Sequence, residues 1–260
     1  MGGVVSWRRW LDASPVAEVA LALMRDATGR DEPLEVLVPV RPPALPEERC
    51  IGFWALNAGV GTSTAAALVA HRSAAGGRPP VLIDLDRRAP TLSIRARGTG
   101  ATICDALLRP SSEVALLSRW GDIRLLRGSP DLGRTFDGPR VAELVGRLRG
   151  AGPLVIDLGS GAEALDGDVV AALDLLCVVV GPSVSQLQAA FCSAALLEGI
   201  GTRIGAVVVN AAPEDAARIG SRLPWPVLAC VPRDPFLAGD EFAVRAPTAR
   251  ALDPLIRSVA

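Results

Sequence analysis

Asn57-Ala58-Gly59-Val60-Gly61-Thr62-Ser63-Thr64 follows the apolar run Ile51 to Leu56 and opens into an alanine-rich stretch. A strand, a glycine loop and a helix in that order are the setting of a P-loop, whose backbone amides cradle phosphate. Gly59 and Gly61 let those amides converge, and the helix N-terminus adds its dipole. A working loop of this kind uses lysine to hold the β/γ-phosphates. Here Thr62 stands at that position. The chain has no lysine at all, and its 27 basic residues are all arginine.

Around that loop the chain offers ample core. Its 260 residues suffice for one large α/β domain, or one domain with a small appendage, and half of them are hydrophobic. The net charge of −1, with arginine and acid spread along the chain, gives no global signal for nucleic acid. Cys50, Cys104, Cys177, Cys192 and Cys230 stand singly, mostly in apolar runs, and read as thiols in a reducing compartment rather than as metal ligands. His71, the single histidine, falls in the helix after the loop and reads as a packing or surface residue. No apolar run approaches the ~18–20 residues that span a bilayer. Trp7-Arg8-Arg9-Trp10-Leu11 lacks the apolar core of a signal peptide, so a cytoplasmic protein is expected.

Ser14 and Pro15 open a predicted helix over 14–28, and Glu35 to Val40 suits a short strand. The proline-rich stretch from Arg41 to Arg49 reads as a linker. The predicted division is therefore an N-terminal appendage with linker, 1–48, and a nucleotide-binding-type domain, 49–260. From Cys50 onward apolar runs alternate with helical segments. Strands are predicted at 51–56, 81–85, 123–126, 153–158, 175–180, 205–210 and 227–231. Helices are predicted at 63–75, 101–108, 138–150, 162–173, 184–199, 213–222 and 247–258. The strand runs are continuously apolar rather than alternating, which suits strands buried on both faces. The expected fold class is a doubly wound α/β domain, its sheet mostly parallel with helices on both faces.

Several strand ends carry groups suited to chemistry. Ser63 stands where a P-loop hydroxyl binds Mg²⁺. Asp84 and Asp86 close the run Val81-Leu82-Ile83-Asp84-Leu85-Asp86, and two carboxylates at that spacing suit a metal-bound water or an attacking one. Either also suits a turn cap. Leu154-Val155-Ile156-Asp157-Leu158-Gly159 has the Walker B pattern, an apolar strand ending in Asp-x-Gly. Asn210 ends Val207-Val208-Val209, and its amide suits a purine edge; Pro232, after the last strand, suits a turn that closes the base pocket. A Rossmann dinucleotide site also begins with Gly-x-Gly after a strand and asks for an acid about 20 residues on, a place Asp84 fills.

The order of these segments resembles the MinD/ParA family of P-loop ATPases over 50–247, and makes a Rossmann dehydrogenase unexpected. Ile123 to Leu132 resembles the family segment before Walker B, and Val178 to Ser185 its segment after switch II. The family loop reads Lys-Gly-Gly-x-Gly-Lys-Thr-Thr. Its first lysine reaches across an ATP-sandwich dimer, and its second holds the phosphates of its own subunit. This chain has Asn57 and Thr62 there, which puts hydrolysis in doubt. By that resemblance the nucleotide would contact Asn57, Gly59, Val60, Gly61, Thr62, Ser63 and Thr64, with Asn210 and Pro232 at the adenine. Asp86 takes the water-activating, catalytic position. Ser63 and Asp157 take metal positions, joined by Asp84 as the partnering acid.

Losing two charge-assisted hydrogen bonds costs about 3–6 kcal/mol, or about 10²–10⁴ in affinity. Lysine-free loops behind an extra N-terminal segment resemble the TadZ/CpaE group, which localises and helps assemble Flp-type pili. Its receiver-like N-terminal domain is longer than 1–48. The expectation is a degenerate member: a homodimeric scaffold or localisation factor for a pilus or secretion machine, with ATP and Mg²⁺ held weakly or not at all. The alternative is an active partitioning or cell-division ATPase in which arginine, such as Arg87 or Arg88, replaces the lysines.

Overall fold

The computed structural model describes residues 42–110, 113–238 and 244–259. The helix predicted over 14–28 and the strand over 35–40 lie outside those residues. Among the described residues, eight strands form one sheet in the order β3-β4-β2-β5-β1-β6-β7-β8. Its strands are β1 (Cys50–Ala55), β2 (Val81–Asp84), β3 (Ser118–Trp120), β4 (Ile123–Leu126), β5 (Leu154–Ser160), β6 (Leu175–Val180), β7 (Arg203–Val209) and β8 (Val227–Val231). All pairings are parallel except that of the edge strand β3 with β4.

Strands β1, β2 and β6 are buried at every position. That follows from their unbroken apolar sequences and from helices on both faces. One face is covered by α1 (Thr62–Ala74) together with Leu252, Leu255 and Ile256 near the C-terminus. The opposite face is packed by α5 (Gly138–Leu148), α6 (Gly167–Ala171) and α7 (Val184–Leu196). Between α1 and α5 in the chain come three short helices: α2 (Thr91–Arg95), α3 (Ile103–Leu108) and α4 (Leu132–Thr135). The chain closes with α8 (Pro213–Gly220), α9 (Ala246–Arg250) and α10 (Asp253–Ser258). The reason for α5 is plain: Asp137 caps it by accepting from the Arg140 N–H, Pro139 sits in its first turn, and Val141, Leu144, Val145 and Leu148 form its buried stripe.

All seven predicted strands are present with small shifts at their ends. The edge strand β3 was not predicted; Ser-Arg-Trp has no apolar run, and its antiparallel pairing with β4 makes it a strand. The helix predicted over 247–258 is two helices, α9 and α10, with Pro254 in the first turn of the second. The helix predicted over 162–173 holds only α6, after a 3-10 turn at Ala162–Ala164. Two elements, α2 and α4, went unpredicted because each is one turn long. In the stretch read as linker, Leu45 joins the core and its N–H donates to Ser73 Oγ at 2.8 Å.

Candidate functional site at the glycine loop

The loop leaves the C-terminal end of β1 and enters α1 through Gly61, the helix N-cap. Gly59 and Gly61 adopt φ of 75° and 113°, the left-handed region that favours glycine. Gly61 accepts the first helical hydrogen bond, from the Ala65 N–H at 2.8 Å. A Cβ on Gly59 would meet nothing within 4 Å, so the loop's outer side is open. Val60 and Thr62 are buried, while Ser63 and Thr64 are partly exposed. Asn57 Nδ2 donates to Ser185 O at 3.3 Å, which ties the loop to the start of α7. Its side chain is thus turned to its own chain.

Parallel pairing sets Asp84 on β2 directly beside Asp157 on β5. Both are wholly buried, and Oδ2 of each has no hydrogen-bond partner. Asp157 Oδ1 accepts the Gly159 N–H at 3.0 Å, and the Ser63 hydroxyl also bonds this carboxylate. Burial pushes Asp157 up to about 6; the Ser63 and Gly159 hydrogen bonds pull it down, and the Asp86 charge pushes it up again. Asp84 is raised well above the usual carboxylate range, by burial first and by the Asp157 charge second. Two buried carboxylates side by side resist joint ionisation.

Asp86 lies past the end of β2, against Gly159: a Cβ there would stand 2.7 Å from Asp86 Cγ. Gly159 has φ of 78°, which also favours glycine. Asp86 Oδ1 accepts the N–H groups of Arg88 at 2.9 Å and Ala89 at 3.0 Å, so it caps a turn while facing the other two acids. Arg87 packs on Phe136, its Cζ 3.2 Å from the ring centroid. Arg88 is ion-paired with Glu163. Both arginines considered as replacements for lysine are therefore engaged by other side chains.

At the far end of the site, β7 and β8 place Asn210 and Pro232 on neighbouring strand ends. The Asn210 N–H donates to Val231 O at 2.9 Å. Asn210 has φ of 58°, a conformation asparagine tolerates better than most residues, and it is exposed. Thus loop, hydroxyl, three carboxylates, asparagine and proline all lie at the C-terminal ends of strands. That edge is where ligands enter open α/β sheets. The Ser63 hydroxyl and the unpartnered Asp157 oxygen suit a divalent cation held together with phosphate. The glycine amides suit the phosphate itself, but the loop offers no side-chain cation.

Sequence reading missed the anchor of the last turn. Asp234, with its side chain buried, accepts from Phe236 N–H at 3.1 Å, Arg245 Nε at 3.0 Å and Thr248 Oγ1 at 2.7 Å. Burial pushes its pKa up, yet these hydrogen bonds outweigh that and hold it below the usual range. The Asp-to-Thr spacing of 14 residues carries no local pattern that would have revealed it. His71 packs edge-on against Trp120, with ring centroids 4.8 Å apart, as a packing residue should. Cys50 and Cys177 are buried, while Cys192 is exposed.

No protein-family model matches the chain, and no curated protein sequence matches it. Solved structures do. The septum site-determining protein MinD from Pyrococcus horikoshii, complexed with Mg-ADP, superposes with a TM-score of 0.67 at 19% identity, over 81% of this chain and 95% of that one. A ParA family ATPase from Chlorobium tepidum gives 0.68 at 18% identity, over 82% and 98%. A chain of the MinC:MinD cell division protein complex of Aquifex aeolicus gives 0.66 at 18%, over 81% and 95%. Among the described residues no helix is long and apolar enough to cross a membrane. Sheet order, glycine loop and superposition agree: the chain has the fold of the MinD/ParA P-loop ATPases.

Proposed function

We propose that this protein is a degenerate MinD/ParA-like scaffold that binds ATP weakly or not at all and turns it over negligibly. The observation that carries the reading is Thr62, buried in the first turn of α1 where a phosphate-holding lysine would stand. Phosphoryl transfer rests on positioning and electrostatic stabilisation, so the missing charge falls on the transition state at least as heavily as on binding. Ser63 and Asp157 remain able to hold Mg²⁺ if a nucleotide enters. The cation would neutralise phosphate charge, Asp84 would share the buried carboxylate pair, and Asp86 would orient water. Asn210 and Pro232 would flank the base.

Ile94, Val184 and Phe236 are 77%, 82% and 58% exposed on segments at the loop end of the sheet. Such side chains suit a face that meets another protein, first a second copy of this chain. The role that fits is a homodimeric localisation factor that recruits a partner of a pilus or secretion machine, in the manner of the TadZ/CpaE group, and works in the cytoplasm. The described helices carry no membrane span, and MinD itself is seen in complex with MinC. An active ATPase with arginine replacing lysine has less support, since Arg87 and Arg88 are held by Phe136 and Glu163.

Steady-state turnover with Mg-ATP tests the proposal. Rates below about 0.1 per minute, unchanged in Asp157→Ala, are expected; a faster rate abolished by that substitution makes the protein an ATPase.

A further inference from the structure

Three arginines line one cleft at the opposite end of the sheet, far from the glycine loop. A cleft of about 380 Å³ there is lined by Arg78, Pro79, Leu117, Arg119, Ile123 and Arg124, among others. Arg119 on β3 and Arg124 on β4 are directly opposed in the antiparallel ladder. Side chains so opposed leave one face with Cβ atoms about 4.5–5.5 Å apart, and like charges there are destabilising. Arg78 adds a third charge. Its Nε and the Arg124 Nη2 lie 3.5 and 3.0 Å from the point where a Cβ on Gly152 would stand, so the two groups are side by side. Burial, and then Arg78, lowers the pKa of Arg124.

Neutralisation from within the chain is incomplete. Arg78 pairs with Glu47 at 2.9 Å. Arg124 donates only to backbone carbonyls, Pro79 O at 3.1 Å and Ala151 O at 2.6 Å, and Arg119 donates to Gly121 O at 2.9 Å. Among the described residues neither has a carboxylate within 4 Å. Asp122 also lines the cleft, and with Glu47 on Arg78 the three arginines face two carboxylates, a surplus of one positive charge. Two backbone carbonyls take both Nη2 hydrogens of Arg124, which fixes its guanidinium and leaves Nε and Nη1 as single donors toward an anion.

We propose that this cleft binds a phosphate monoester, its doubly charged group held by Arg78, Arg119 and Arg124 and its organic part lying along Pro79, Leu117 and Ile123. A cleft of this volume has room for more than a free phosphate, and its surplus of positive charge favours an anion. The ligand is thus a phosphorylated metabolite rather than a triphosphate bound at the glycine loop. It would bridge the only antiparallel hairpin of the described sheet to the turn before β2.

Calorimetry and thermal shift at low ionic strength test this, with ribose 5-phosphate and inorganic phosphate as separate probes. Ribose 5-phosphate is expected to bind and raise the Tm, and to bind more tightly than inorganic phosphate. Arg119→Ser and Arg78→Ser should each weaken binding about tenfold or more. Both side chains are on the surface, so these variants keep the fold. Without ligand, Arg119→Ser should melt no lower than wild type, because it relieves like-charge repulsion. Equal affinity of the two probes would mean that the apolar wall is not used and would overturn the monoester assignment. Absence of wild-type binding, unchanged affinity in both variants, or an equal loss in Ser63→Ala, which would place the anion at the glycine loop, would overturn the site.

Discussion

Thr62 is one side chain, yet the chemistry of the loop turns on it. A lysine there would bring one charge-assisted contact to phosphate, worth about 1.5–3 kcal/mol, so Thr62→Lys should tighten Mg-ATP binding by about 10- to 100-fold. Calorimetry on the two proteins reads this directly. The neighbouring carboxylates supply a second expectation. The folded-state pKa of Asp157 is raised to about 6, above its ordinary value of 3.8. The folded chain therefore holds more protons than the unfolded one between those values, and stability falls as pH rises from about 4 to about 6. Asp84, raised in the same direction, adds to the slope. Asp157→Asn keeps an oxygen for the Ser63 and Gly159 donors and removes the buried charge. Its gain in stability should be about 1–3 kcal/mol at pH 7 and near zero at pH 4, by denaturant titration in chelator. The sequence made the residues of this site legible because they sit at the ends of apolar strands or in the glycine loop and helix start that follow the first of them. The turn cap that the sequence allowed for Asp86 is present, but the sequence did not reveal that Arg87 and Arg88 find partners in Phe136 and Glu163, since those partners arrive from distant segments.

At the scale of elements, the long parallel strands were readable because burial on both faces demands unbroken apolar runs, which a sequence shows openly. The short pieces were not. The strand β3 exists by pairing with β4, and α2 and α4 are single turns with no period to detect. The same holds for the tie between the end of β8 and α9. Asp234 there collects donors from Phe236, Arg245 and Thr248 across a chain reversal. Asp234→Ala should cost about 2–4 kcal/mol, because it strands a buried hydroxyl and releases the turn that carries Pro232. Urea denaturation checks the cost. At the neighbouring junction, Gly159 combines a left-handed φ with the close approach of Asp86. Gly159→Ala should destabilise by about 1–3 kcal/mol and displace Asp86 from its turn.

For the whole molecule, the loop end of the sheet carries both the site and the exposed Ile94, Val184 and Phe236. If that face joins two copies, self-association should not depend on nucleotide. Val184→Glu should weaken it while leaving the Tm within about 2 °C of wild type, since Val184 buries little in the single chain. Sedimentation velocity with and without Mg-ATP separates this from a nucleotide-switched dimer. Oligomeric state had no signature in the sequence, whereas the doubly wound fold did, because assembly depends on which apolar side chains are left uncovered. The most direct test of the central claim is calorimetric titration of Mg-ATP into wild type and Thr62→Lys. Wild-type affinity weaker than about 1 mM, with clear binding gained by Thr62→Lys, is the expected result for a pocket that kept its backbone and lost its charge. Micromolar binding by the wild type would contradict it and restore a nucleotide switch.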